Sequence, residues 1–199
     1  WLYGGYGWDS EDHVGYLNDF WCYNQESGYW AWVKGDVLRN QPGVYGTLGE
    51  SDASSMPGAR NKAVSWIDQS GELWLFGGQG YDGIGNSGYL NDLWRYDPAV
   101  GNWTWMKGAT LYNQPGVYGS RNISEPDNTP GSRINAVSWF DGDGALWLFG
   151  GYGRDGAGNY GCLNDLWRYD LASGNWAWVG GSATIDQLGT YQVQGVPDP

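Results

Sequence analysis

The sequence predicts an all-β fold made of repeated, four-stranded antiparallel units. Three observations carry that prediction. First, a motif returns every 73 residues: Trp1, Gly4, Asn18, Asp19 and Trp21 reappear as Trp74, Gly77, Asn91, Asp92 and Trp94, then as Trp147, Gly150, Asn164, Asp165 and Trp167. A strict period built from strand-like segments is the signature of a repeat architecture. Second, the apolar runs are short and bounded by glycine, proline or Asx residues, as strands are. Third, 35 glycines and 8 prolines accompany 15 tryptophans and 15 tyrosines in 199 residues. That is too aromatic for a disordered chain and suits many short strands joined by turns.

The middle repeat shows the elements in order. Residues 61–67 form a first strand, with Ala63, Val64 and Trp66 apolar. The turn at 68–71 leads to a second strand, 73–76, stopped by Gly77 and Gly78. A third strand, 93–97, ends at Pro98, a turn signal. The turn at 98–101 leads to a fourth, 102–107, where Trp103 and Trp105 fall on one side by alternation, Thr104 and Met106 on the other. The two short connections are of hairpin length. The two long ones, 77–91 and about 108–130, leave by the same edge in an up-down-up-down sheet. Enlarged loops therefore gather on one face, where recognition commonly sits.

The units span about 1–56, 57–129 and 130–199 and read as parts of one domain. The first lacks its first strand, and the chain opens inside a strand motif, so further units of a longer chain, or a larger complex, are expected.

A Gly-Gly pair closing a strand, then Leu-Asn-Asp, Tyr-Asp, a turn and a Trp resemble the kelch motif. Here these are Gly77-Gly78, Leu90-Asn91-Asp92, Tyr96-Asp97 and Trp103, matched by Gly150-Gly151, Leu163-Asn164-Asp165, Tyr169-Asp170 and Trp176. The resemblance covers essentially the whole chain. It implies four-stranded blades of a β-propeller, so that this chain is a propeller segment. The period exceeds the family's roughly 50 residues by the spacer Asn40-Gln41-Pro42-Gly43-Val44-Tyr45-Gly46 and its copy at 113–119. In that respect the chain resembles long-period bacterial kelch proteins, which implies an extracellular, cell-surface or periplasmic location. Some kelch propellers are copper oxidases with tyrosine and histidine ligands; His13 is the only histidine here and cannot supply that set.

The formal charge of −12 argues against nucleic acid or an anionic membrane as partner. No apolar run approaches the roughly 20 residues of a membrane helix. Cys22 and Cys162 occupy non-equivalent positions two repeats apart, and no disulfide is expected between them.

Strand tryptophans such as Trp94, Trp103, Trp167 and Trp176 recur in every copy and read as packing between units rather than as sugar platforms. Trp8 breaks that pattern; its equivalents are Tyr81 and Arg154, and these three loop positions are the best ligand candidates, with Tyr45 and Tyr118 of the spacers. The Asn-Asp pairs at 18–19, 91–92 and 164–165 read as bonding loop amides. Arg60 and Arg133, each opening a first strand, read as structural hydrogen-bond donors between units. Asp82 and Asn86, with Asp155 and Asn159, offer oxygen ligands for calcium. The first copy lacks that pattern and no calcium-loop spacing is present, so no cofactor is expected. No nucleophile–base–acid set stands out.

The sequence therefore points to a non-catalytic binding or scaffold module recognising protein or glycan through its long-loop face. The alternatives are an enzyme propeller with catalytic residues outside this segment, and a structural subunit of a larger assembly.

Overall fold

The computed structural model describes residues 1–195; the last four residues of the third unit lie outside the described residues. The fold is all-β and antiparallel, without helices among the described residues. Among the described residues, no helix is long and apolar enough to cross a membrane.

Three sheets follow one another along the chain. The first contains β1 (Leu2–Trp8), β2 (Val14–Asn24) and β3 (Tyr29–Lys34) in that order. In the second, β4 (Arg60–Asn61) and β5 (Val64–Ile67) both pair with β6 (Leu73–Tyr81), followed by β7 (Ser87–Asp97) and β8 (Asn102–Lys107). β9 (Ser124–Glu125) precedes the third sheet in sequence but pairs with its last strand. There β10 (Arg133–Ile134) and β11 (Val137–Phe140) pair with β12 (Ala145–Arg154), followed by β13 (Tyr160–Asp170) and β14 (Asn175–Gly180).

Strand order agrees with the sequence pattern, but three boundaries do not. The Gly77-Gly78 pair does not stop the second strand; it kinks it. Register slips between Phe76↔Leu93 and Gly78↔Leu90, and β6 then runs on to Tyr81. Gly77 and Gly78 take φ of 66° and 96°, a region that L residues with a Cβ rarely adopt. The connection expected at 77–91 thus contracts to 82–86 between two long strands. Opposite the kink the first strand breaks in two: Lys62 turns left-handed at φ 55°, as does its equivalent Asn135 at φ 54°. A Cβ on Gly78 would stand 2.6 Å from the Asn61 carbonyl oxygen, so the break and the kink fit around each other.

The third difference concerns the spacers. The unit bounds place each spacer with the sheet before it, and Asn40 and Asn113 do bond that sheet at Tyr16 and Tyr89, but the spacer tyrosine packs on the sheet after it. Tyr45 follows the first sheet and reaches Asp92 of the second; Tyr118 follows the second and reaches Asp165 of the third. β9 adds to the third sheet for the same reason. The short bridges Val44↔Met56 and Val117↔Thr129 hold each spacer folded on itself.

Consecutive sheets pack through one pair of faces, used twice. The forward face of the first sheet brings Tyr3 edge-on to Trp103 of the second, centroids 5.5 Å apart. The forward face of the second brings the equivalent Phe76 edge-on to Trp176 of the third at 5.6 Å. Around these contacts Trp94, Trp103, Trp167 and Trp176 are essentially fully buried. Their burial removes large apolar surfaces from water at about 25 cal/mol per Å². The tryptophans of the first sheet, with no sheet behind them among the described residues, are different: Trp30 is 53% exposed and Trp32 51%.

Gly77→Ala is expected to lower stability by more than 1 kcal/mol, because the left-handed φ is strained and a Cβ would press on the Arg133 and Leu90 carbonyls at 3.0 Å. Gly142→Ala, where a Cβ would meet nothing within 4 Å, should stay within about 0.5 kcal/mol. Urea unfolding of both variants checks the pair.

Candidate functional site

The chemistry-bearing side chains fall into two sets, one buried between strands and one at the loop edge. The buried set is a four-residue knot. Asp92 accepts from Arg60 Nη1 at 2.6 Å, Arg60 Nη2 at 2.7 Å, Tyr45 Oη at 2.8 Å and Trp94 Nε1 at 2.7 Å. Arg60 spends its remaining donors on carbonyls: Nε on Gly58 at 3.0 Å and Nη1 on Gly77 at 2.9 Å. Arg133, Asp165, Tyr118 and Trp167 repeat the arrangement with the same partners to within 0.1 Å. The arginine closes a ring inside its own sheet, since Arg60 and Asp92 both belong to the second; it does not bridge two units.

Burial pushes the Tyr118 hydroxyl pKa up, and the neighbouring Asp165 charge pushes it further, so the phenol stays protonated and donates. Burial also acts to raise the Asp165 carboxyl, but the Arg133 charge and its hydrogen bonds, with those of Trp167 and Tyr118, leave it below its ordinary value. Tyr45 and Tyr118 are therefore not loop-face ligand contacts. They are 7% and 8% exposed, and their hydroxyls point inward.

The loop edge is built from hairpin tips and spacers tied together by a second repeated device. Asp82, fully buried, accepts from the Ile84 and Asn86 amides with one oxygen and from the Tyr112 amide of the following spacer with the other. Asp9 does the same for Glu11, His13 and Arg39, and Asp155 for Ala157, Asn159 and Ile185. Burial would raise Asp155, but the amides of Asn159, Ile185 and Ala157 and the Asn159 side chain hold it below its usual range. Hydrogen bonds from three amides favour the ionised carboxylate and occupy lone pairs on both of its oxygens. Asp82 and Asp155, offered by sequence as calcium ligands, are in use as loop staples; Asn86 and Asn159 are exposed at the tips. Among the described residues, no group of three or more His, Cys, Asp or Glu could hold a metal ion.

Asn18, Asn91 and Asn164 bond loop amides as their type suggests, each accepting from the amide 18 residues on, in Asp36, Ala109 and Ser182. Asp92 and Asp165, the neighbours of Asn91 and Asn164, are the centres of the two knots.

Trp8, Tyr81 and Arg154 occupy equivalent strand ends but meet different surroundings. Trp8 is 69% exposed and lines a cavity of about 300 Å³ on the first sheet. Tyr81 is half-buried and stands edge-on to Tyr16 across the first junction, at 6.1 Å. Arg154 is half-buried, donates to the Gly158 carbonyl and holds its guanidinium 3.9 Å from the Tyr160 ring centroid. The structure does not gather the three into one pocket; it spaces them along one edge, a sheet apart. His13 is exposed, 3.7 Å from Asp9 and 4.0 Å from Glu11. Cys22 and Cys162 are free thiols.

Two further recesses went unseen in the sequence. One, of about 310 Å³, is lined by Asn18, Lys34, Gln41, Pro42 and Val44. Its copy, about 350 Å³, is lined by Asn91, Lys107, Gln114, Pro115 and Val117. Burial pulls Lys34 and Lys107 below the ordinary lysine value, and their amines reach across to Asn102 and Asn175 of the next sheet. The signal available was the recurrence of lysine at the last position of β3 and of β8.

No protein-family model and no curated protein matches the chain. Among solved structures the chain is similar to that of YjhT, at 19% identity and a TM-score of 0.46, over 64% of this chain and 40% of that one.

Two predictions test the knot. Replacing Arg60 with Met strands a buried carboxylate and should cost about 3–5 kcal/mol in urea unfolding, whereas replacing exposed Lys or Arg elsewhere should cost under about 0.5 kcal/mol. The second is acid sensitivity. The folded Asp165 value lies below the unfolded one, near 3.9. Its contribution is therefore present above about pH 4 and is lost as pH falls through the folded value. Thermal unfolding from pH 6 downward should show that loss, and Asp165→Asn, less stable at pH 6, should show a shallower acid limb.

Proposed function

We propose that the chain is a segment of a kelch-type β-propeller serving as a non-catalytic binding or scaffold module, with its loop edge recognising a protein or a glycan. The observation that carries this reading is the division of labour between repeated and varied residues. The buried acid–base pairs are copied at the same distance, Arg60–Asp92 and Arg133–Asp165 both at 2.6 Å. They are spent on holding strands. Side chains that differ from copy to copy, Trp8, Tyr81 and Arg154 or His13, Asn86 and Asn159, stand at the hairpin tips on a rigid edge. Packing asks for the same side chain in each unit, whereas a ligand meets each unit differently.

The propeller assignment draws support from the kelch-like motif and from consecutive sheets that use one forward and one back face. A bacterial surface or extracellular location rests on the likeness to long-period kelch proteins. The reading needs no cofactor, nucleic acid or membrane insertion. A structural role in a larger assembly has one observation in its favour: Trp30 and Trp32 lie about half exposed on the face of the first sheet whose equivalents, Trp103 and Trp105, are covered in the second.

The test is a glycan microarray and an array of extracellular proteins probed with the chain, followed by titration of the best hit. Tyr81→Ala with Arg154→Ala should preserve the near-ultraviolet circular dichroism and weaken that titration at least about tenfold, or about 1.4 kcal/mol. Unchanged affinity in the double variant, with loss on altering the opposite-edge turns at 68–71 and 98–101, would place recognition on the wrong edge for this reading.

A further inference from the structure

The first sheet carries an incomplete knot. Asp19 is the equivalent of Asp92 and Asp165, and Trp21 Nε1 donates to it at 2.7 Å as Trp94 and Trp167 do to theirs. No tyrosine and no arginine reach it among the described residues. In the other two sheets the tyrosine ring lies over two tryptophans: Tyr45 is 4.9 Å from Trp94 and 5.3 Å from Trp105, Tyr118 is 4.8 Å from Trp167 and 5.4 Å from Trp178. In the first sheet the same place is the cavity of about 300 Å³, lined by Trp8, Leu17, Asp19, Trp21, Trp32 and Val37.

The missing tyrosine exists at the other end of the chain. Tyr191 stands 73 residues after Tyr118 and is 95% exposed. The segment leading to it already has the spacer's conformation. Asp186 is left-handed at φ 57°, as Asn40 and Asn113 are at 62° and 59°. Its Oδ1 accepts from the Cys162 amide as theirs accept from Tyr16 and Tyr89. Gln187 Nε2 donates two residues back, to the Ile185 carbonyl, as Gln41 and Gln114 do to Arg39 and Tyr112. A spacer docks on the sheet after its own, and the described chain has no fourth sheet.

The packing faces match in the same way. Phe149 is the third-sheet equivalent of Tyr3 and Phe76, and it is 43% exposed; Trp30 is the first-sheet equivalent of their partners Trp103 and Trp176, and it is 53% exposed. Trp66 donates to the Trp147 carbonyl across the second junction, while its equivalent Trp139 is 42% exposed.

We propose that a second copy of this chain is the occupant: the third sheet of one copy packs on the first sheet of the next, with Phe149 against Trp30 and Tyr191 seated over Trp21 and Trp32, its hydroxyl donated to Asp19. The contact continues the junction already present twice inside the chain, and it is head-to-tail, joining unlike surfaces. Of the two donors the slot lacks, Tyr191 supplies one; the arginine has no copy after Tyr191 in the sequence. The inference rests on the repeat register and not on what the loop edge binds.

Sedimentation equilibrium of the 199-residue chain, up to about 100 µM, tests it. The mass should rise with concentration above the 22.0 kDa of one copy. Tyr191→Ala, Asp19→Ala and Phe149→Ala should each raise the dissociation constant at least about tenfold, whereas Ile84→Ser, at an exposed tip away from both ends, should leave it unchanged. Tyr191 is almost wholly exposed in the single chain, so its alanine variant reads assembly without disturbing the fold. A synthetic peptide of residues 185–193 should lower the assembled mass, and the same peptide with Tyr191→Ala should not. A chain that stays monomeric throughout the range overturns the proposal, as does an assembly whose mass survives Tyr191→Ala and Asp19→Ala.

Discussion

A buried arginine–aspartate pair, closed by a tyrosine hydroxyl and an indole N–H, is the constraint on which the rest of the structure depends. Its four members arrive from three segments: Arg60 from the first strand, Asp92 and Trp94 from β7, Tyr45 from the preceding spacer. Arg60 and Asp92, both fully buried, depend on each other, because a buried charge left unpaired costs several kcal/mol. The broken first strand and the bend at Gly77 let the guanidinium reach both the Asp92 carboxylate and the Gly77 carbonyl, the latter at 2.9 Å. The same glycine kink recurs in β1 at Gly4, where no arginine reaches Asp19 among the described residues, so the kink belongs to the repeat and the knot is built on it. A pair of this kind adds little net stability over a well-packed apolar core. Its effect is on specificity of arrangement, since only one register of spacer, first strand and third strand satisfies all four donors.

The knot also sets the direction of the chain. Because its tyrosine comes from the spacer before the sheet, each sheet is finished by its predecessor. The aromatic faces repeat that asymmetry, Tyr3 and Phe76 forward onto Trp103 and Trp176 behind. In a linear array built this way the two ends are never equivalent: one end keeps a receptor lined by tryptophan and aspartate, the other an exposed tyrosine. In the first and third sheets Trp30, Trp32 and Phe149 keep the residue types of the covered faces while standing about half exposed.

Much of this was legible in the sequence because period and residue type coincide. The 73-residue repeat fixed the number of sheets, the order of strands, the bounds of β8 and the burial of Trp94, Trp103, Trp167 and Trp176. What escaped was anything decided by contacts between segments far apart. Gly77-Gly78 reads locally as a stop, and only the pairing of β6 with β7 on both sides of it shows a kink inside a longer strand. Tyr45 and Tyr118 read as polar-tipped loop residues, but their partners lie 47 residues further on. Asp82 and Asp155 look like cation ligands beside glycine and asparagine until the amides that face them are placed. β9 pairs over two residues and leaves no periodic trace.

The loop edge differs from the knots in one respect that bears on function. The staple aspartates Asp9, Asp82 and Asp155 each accept from backbone amides at the same three positions, with the Asn159 side chain an addition at Asp155 alone, and backbone amides are present whatever the side chains around them are. The tip sequences are therefore free to change without loss of the loop's shape. The three tips show this: one carries Glu11, Asp12 and His13, another Ile84 and Asn86, the third Ala157 and Asn159. All three close on the same two amide positions and tie to the same position of the following spacer. A recognition surface needs a fixed backbone under variable side chains, and main-chain staples supply that without constraining sequence. The knots, which use side chains at every corner, allow no such variation, and this is why the buried polar groups of this chain repeat while its exposed ones diverge.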